Sequence, residues 1–152
     1  MTERHQYLLT KAQQYCSYQE RSLFEVKTKL AEWLAQEKVA EEIINHLIHD
    51  DYLNEERFVK TFAISKFRQK QWGKNKIIYE LKKRRVPDLI IQIGLQEIDE
   101  KEYEETLKDL LQKKVKEIKE DNPQRKKTKL ANFGMNKGYR SGLVWDVINK
   151  YL

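Results

Sequence analysis

Apolar residues recur at helical spacing along nearly the whole chain, and three stretches share one arrangement. Val39, Ile43, Ile44, Leu47 and Ile48 form the first, and Val86, Ile90, Ile91, Gly94 and Leu95 the second. Tyr139, Leu143, Val144, Val147 and Ile148 form the third. Each places its members on one face of a helix, with Gly94 as a small substitute. Counting back from Val86 gives Leu81, Ile77 and Gly73; the same offsets from Tyr139 give Gly134, Leu130 and Lys126. In the first stretch Ser22, Val26 and Leu30 fit if four extra residues, about one helical turn, are allowed before Val39. A further apolar helix precedes each pair: Tyr7 to Cys16, then Phe58, Phe62, Ala63 and Phe67, then Tyr103, Leu107, Leu110, Leu111 and Val115. The pattern predicts an all-α protein of three tandem three-helix repeats, at residues 1–56, 57–98 and 99–152. It also predicts an elongated, curved helical array whose hand is left open.

The punctuation fits those boundaries. Ser22 with Glu25 has capping-box spacing, and Asp99 with Glu102 repeats it before the seventh helix. Asn54 followed by Glu55 and Glu56 offers a cap and favourable first-turn charge. Pro87 suits a first helical turn, and Pro123 separates the seventh helix from the eighth. With only 5 Gly and 2 Pro among 152 residues, little else interrupts helix. Aromatics at 11% provide material for a core, but each repeat is small enough to need its neighbour.

Charge changes the picture. Charged residues are 36% of the chain and no apolar run approaches the roughly 20 residues of a bilayer span, so no membrane association is expected. The N-terminal residues lack the apolar core of a secretion signal. A single cysteine, Cys16, rules out an internal disulfide framework; a cytoplasmic protein is expected. The net charge of +6 is unevenly divided: residues 1–57 carry −4, residues 58–98 carry +7 and residues 99–152 carry +3. A basic middle beside an acidic first third suggests that one part meets a polyanion and another meets something different.

An ordered set of motifs runs along the chain: Tyr15-Cys16-Ser17 before Ser22, Glu25, Val26, Leu30 and Trp33; Tyr52-Leu53 with Arg57-Phe58; and Trp72-Gly73 with Ile77 and Leu81. Lys129-Leu130 and Gly138-Tyr139 complete it. The set resembles the RecX family of bacterial regulatory proteins, and the first junction and the Trp72-Gly73 repeat look most like Bacteroidetes members. Two departures stand out. Asn54-Glu55 occupies the place of a usual aspartate pair, while Asp50-Asp51 lies earlier. Lys38 and Arg85 stand where the family usually has glycine, and only Gly138 is retained. In left-handed conformations each would cost roughly 1–2 kcal/mol.

Catalytic chemistry is hard to find. No phosphate-binding loop, dinucleotide fingerprint or nucleophile elbow is present, so no enzyme activity and no cofactor are expected. Cys16 reads as a small core residue, and His46 with His49 as polar residues at a helix end rather than metal ligands. Glu41-Glu42, Glu55-Glu56 and Glu104-Glu105 read as solvated charge. The basic groups are the better candidates for polyanion or filament contact: Lys74, Lys76, Lys82, Lys83, Arg84 and Arg85, then Arg125, Lys126, Lys127 and Lys129. Dipole compensation at a helix C-terminus is the bland account of the Lys82–Arg85 run. Lys113, Lys114, Lys116 and Lys119, near Glu117 and Glu120, read as a solvated face. Phe58, Phe62 and Phe67 have core spacing, whereas Trp72, in a basic loop, is the candidate stacking or contact aromatic.

The resemblance implies a regulator that binds RecA recombinase–DNA filaments and modulates them, most simply by inhibition. Its partners would be the filament and, weakly and salt-dependently, single- and double-stranded DNA, with a monomer expected. The alternatives are a stand-alone DNA-binding protein using helix-turn-helix-like modules, and a helical scaffold for another protein.

Overall fold

The computed structural model describes residues 2–152. Nine helices and no strand occur among the described residues: α1 (Glu3–Tyr18), α2 (Leu23–Glu32), α3 (Glu37–His49), α4 (Glu55–Lys70), α5 (Lys74–Lys83), α6 (Asp88–Leu95), α7 (Glu100–Val115), α8 (Pro123–Asn136) and α9 (Ser141–Tyr151). The all-α repeat pattern is therefore present.

Three helix starts follow the sequence signals: Ser22 and Asp99 accept through their side chains from the N–H three residues on, and Asn54 does so from Arg57. Thr2 and Asn122 cap α1 and α8 in the same way without having been singled out in the sequence. Pro123 is the first residue of α8. Pro87 lies one position earlier than a first-turn proline, its carbonyl accepting from the Ile91 N–H just before α6. The acidic partners of the two capping boxes are spent differently from expectation. Glu25 takes a 3.1 Å bond from the Ser22 hydroxyl and faces Arg84 at 3.6 Å, and Glu102 receives a two-pronged contact from Arg68 at 3.2 and 3.3 Å.

The turn between the second and third helix is the same in all three repeats. Leu34, Arg85 and Gly138 have φ of 61°, 57° and 103°. Each N–H reaches the carbonyl three residues back, and the following N–H (Ala35, Val86, Tyr139) reaches the carbonyl five back, on Leu30, Leu81 and Gly134. This paired bonding is the Schellman helix end. It corrects the alignment of the first repeat. Ala35, not Val39, is the counterpart of Val86 and Tyr139, and no extra turn intervenes. The longer apolar face arises because α3 has 13 residues against 8 in α6. Lys38 lies inside α3, and the glycine-like position is Leu34. At the end of α3, Ile48 is 52% exposed rather than core.

By contact the chain gathers into two compact units, one of residues up to Thr61 with Leu81–Gly94, the other of Phe62–Glu80 with Leu95–Leu152. In the first, Leu8, Leu9, Ala12 and Cys16 of α1 pack with Val26 and Leu30 of α2 and with Val39, Ile43, Ile44 and Leu47 of α3. Gly94 lets α6 approach Val59, whose Cγ1 would lie 2.2 Å from an added Cβ. In the second, Phe67, Tyr103 and Tyr139 form a row with ring centroids 5.6 and 5.0 Å apart. Leu107, Leu111, Leu130, Ala131, Val144, Val147 and Ile148 are buried in the same unit. Phe58 is buried like Phe67, whereas Phe62 is half-buried.

Candidate polyanion-binding surfaces

In the first unit, the basic run at the end of α5 is drawn into the protein's own contacts. Lys82 lies 3.5 Å from Asp88, Arg84 lies 3.6 Å from Glu25, and the Arg85 guanidinium sits 4.9 Å from the centre of the Phe24 ring. The run caps a helix C-terminus, as its composition allows, and also ties α5 to the start of α2. At the first junction, Arg57 hydrogen-bonds Glu20, meets Asp51 Oδ2 at 3.2 Å and donates to the Asp51 carbonyl at 3.0 Å. Bonding to Glu20 is the main reason the Arg57 guanidinium holds its proton more firmly than usual. Glu55 is not solvated charge: it accepts from the Leu23 N–H at 2.9 Å, serving the start of α2 from α4. Cys16 is buried, which pushes its thiol up to about 11 and suits a core role over a reactive one. Glu42, Asn45, His46 and His49 line an open depression, and no metal-holding cluster of three exists among the described residues.

In the second unit, the α4–α5 turn is held by residues far along the chain. The Gly73 N–H donates to the Lys137 carbonyl at 2.7 Å, and the Asn75 N–H to the Gly138 carbonyl at 2.9 Å. The Tyr139 hydroxyl donates to the Gln71 carbonyl, Lys137 Nζ to the Lys70 carbonyl, and the Tyr103 hydroxyl accepts from the Lys74 N–H. Burial pushes the Tyr103 hydroxyl up to about 12 and Tyr139 higher still. Trp72 is half-buried at this turn. Lys76, Lys66 and Lys70 place their Nζ atoms 4.9, 5.3 and 5.8 Å from its ring centre, and Phe62 meets its edge. Burial, and after it the nearby Lys76 charge, make the Lys137 ammonium hold its proton less firmly than usual. Lys74 is otherwise engaged, with Glu100 at 2.5 Å. On α8, Arg125 and Lys127 are exposed, Lys126 is half-buried and Lys129 pairs with Glu120 at 3.0 Å.

Comparison with known proteins agrees with this architecture. Residues 54–95 match the family model for the second three-helix domain of RecX, and residues 101–148 the model for its third. The chain belongs to the RecX family. The regulatory protein RecX of Bacillus cereus (strain AH187) is 28% identical over 130 residues, covering 86% of this chain and 48% of that protein. That of Clostridium tetani is 31% identical over 117 residues, 76% of this chain and 53% of the other. The chain spans about half the length of the Bacillus relatives it matches. RecX from Lactobacillus salivarius has the same fold, with a TM-score of 0.91 at 24% identity over 99% of this chain and 97% of that one.

Within this RecX fold, the candidates from sequence fall into three sets. Lys82, Arg84 and Arg85 have partners within their own unit, as does Lys74 in the other. Lys76 and Trp72 meet. Arg125, Lys126, Lys127 and Lys129 share the start of α8. Sequence reasoning missed Lys66, Lys70 and Lys137. A signal existed for the first two: they stand four apart on α4, just ahead of Trp72. For Lys137 there was none, because only packing brings it to α4. Among the described residues no helix is long and apolar enough to cross a membrane.

Proposed function

We propose that this chain is a cytoplasmic, non-enzymatic regulator that docks on RecA recombinase–DNA filaments and restrains their ATP turnover and strand exchange. The observation that carries the reading is the pair of RecX domain matches over residues 54–95 and 101–148, in a chain whose relatives are named regulatory proteins. The charge distribution supports it: the acidic first third suits basic protein loops, and the basic remainder suits DNA or acidic filament surfaces. Repeats at 1–56, 57–98 and 99–152, acting as a monomer, would offer a long contact surface. Contact, not chemistry, does the work.

The test is titration of the purified chain into the cognate recombinase on single-stranded DNA, following ATP hydrolysis. Inhibition below one regulator per recombinase subunit is expected, and it should survive added single-stranded DNA. The Trp72 lysine cluster favours a second reading, a stand-alone DNA binder. Complete rescue by excess DNA, or no effect below equimolar amounts, would put that reading ahead.

A further inference from the structure

Two cations of the Trp72 region have carboxylate partners: Arg68 takes Glu102 and Lys74 takes Glu100, both acids from the first turn of α7. Lys66, Lys70, Lys76 and Lys137 do not. Among the described residues none of the four is paired with a carboxylate, yet all are gathered at one indole or its supporting turn. Like charges held together repel one another, and at Lys137 the Lys76 charge adds to burial, the larger cause, in lowering the proton affinity. A basic cluster with no carboxylate paired to it, gathered at a half-buried aromatic ring, is complementary to a ligand carrying both phosphate and a flat ring.

We propose that Trp72, Lys66, Lys70, Lys76 and Lys137 form a binding site for unpaired nucleotides of a single-stranded nucleic acid, one base stacking on Trp72 and the flanking phosphates meeting the lysines. The inference goes beyond the filament-docking reading and stands independently of it, because the site would take unpaired strand with or without recombinase. Lysine side chains are flexible, so the ammonium groups that cover the indole can swing to phosphates as a base replaces them. A stacked base roughly matches the three ammonium–indole contacts it replaces, and the released ammonium groups gain phosphate partners, which makes the exchange favourable. In duplex DNA the base faces are already stacked on one another, so the site selects unpaired strand. In the Lys82–Arg85 run, Arg85 already lies over the Phe24 ring, 4.9 Å from its centre.

The experiment titrates the full chain with a short oligothymidylate, the matching duplex and free thymidine triphosphate, reading tryptophan fluorescence and anisotropy of labelled strand. The expected result is quenching by the single strand, with weak response to duplex and triphosphate. The salt slope for strand binding should be roughly −2 to −3, for four lysines at about −0.7 each. Trp72→Leu should weaken strand binding roughly 5- to 150-fold and abolish the quench. Lys66→Gln with Lys70→Gln keeps the indole and the turn, and should flatten the salt slope by about 1.4. Circular dichroism establishes that each variant is folded; if Trp72→Leu is not, the lysine pair and Trp72→Phe decide. Unchanged strand binding in folded variants would overturn the site, as would equal binding of duplex, and equal quenching by the triphosphate would overturn its assignment to a strand. Recombinase assays with the same proteins separate the two readings. Wild-type inhibition with no Trp72 effect on strand binding removes this site alone, whereas strand binding at Trp72 without any inhibition removes filament docking alone.

Discussion

Replacing Gly73 by alanine is the most incisive perturbation of this fold. An added Cβ would stand 2.3 Å from the Gly138 carbonyl carbon and 2.4 Å from both the Gly138 oxygen and the Tyr139 nitrogen. All three are backbone atoms, so no side-chain rotation relieves the overlap. Ordinary contact begins near 3.4 Å, and the two segments must separate by about 1 Å. That movement breaks the Gly73–Lys137 and Asn75–Gly138 backbone bonds and strains the Tyr139 bond to Gln71. Two buried backbone bonds at about 1 kcal/mol each, with overpacking of roughly 1–3 kcal/mol, give a loss of about 3–5 kcal/mol. Against a typical total of 5–15 kcal/mol, this is severe. Urea unfolding followed by circular dichroism should show the midpoint falling by about 2 M for a slope near 2 kcal/mol/M. Gly142→Ala supplies the control. Its Cβ would meet nothing closer than Arg140 Nη1 at 3.8 Å, and alanine in a helix should add about 0.5–1 kcal/mol. The same chemical change thus has opposite signs at two positions. If Gly73→Ala were as stable as Gly142→Ala, the close backbone approach would not exist as described.

Leu34→Gly should raise the melting temperature, since it relieves a left-handed leucine worth roughly 1–2 kcal/mol whose side chain is 80% exposed; glycine's extra unfolded-state freedom takes back up to about 1 kcal/mol. A lower melting temperature would contradict the shared turn geometry. Tyr103 is an acid whose proton is held more tightly in the folded state, so its contribution is complete below the unfolded value near 10 and is lost as pH rises from 10 towards 12. Urea midpoints across that window should fall less steeply for Tyr103→Phe than for wild type; parallel curves would refute this. Arg57→Gln leaves Glu20 and Asp51 without their guanidinium and should cost about 1 kcal/mol, discounted for partial exposure. No change in the urea midpoint would mean that the junction network contributes nothing.

Local chemistry accounts for most of what could be read from the residues alone. Helices declare themselves through apolar spacing, and three of their starts through Ser22, Asn54 and Asp99, because each of these interactions closes within one turn of chain. The tandem repeat follows for the same reason: one local pattern recurs three times. Positions set by backbone geometry alone or by distant packing were not legible. Leu34 carries a left-handed turn that nothing in its side chain announces, since the six-residue bonding pattern that imposes it involves backbone only. Ile48 has core spacing but lies at the end of the longest of the three third helices and is 52% exposed. Charge is the sharpest case. Net charge is additive and visible in any sequence, but its availability depends on which acids fold against it. Asp88 and Glu25 face the conspicuous Lys82 and Arg84, while Glu100 and Glu102 engage Lys74 and Arg68. The lysines left around Trp72 come from α4, α5 and the turn after α8, segments separated by up to seventy residues of chain and joined through the Gly73–Gly138 approach. Periodicity records what each helix does with its own neighbours; tertiary packing selects which of the charges stand beside an acid and which do not.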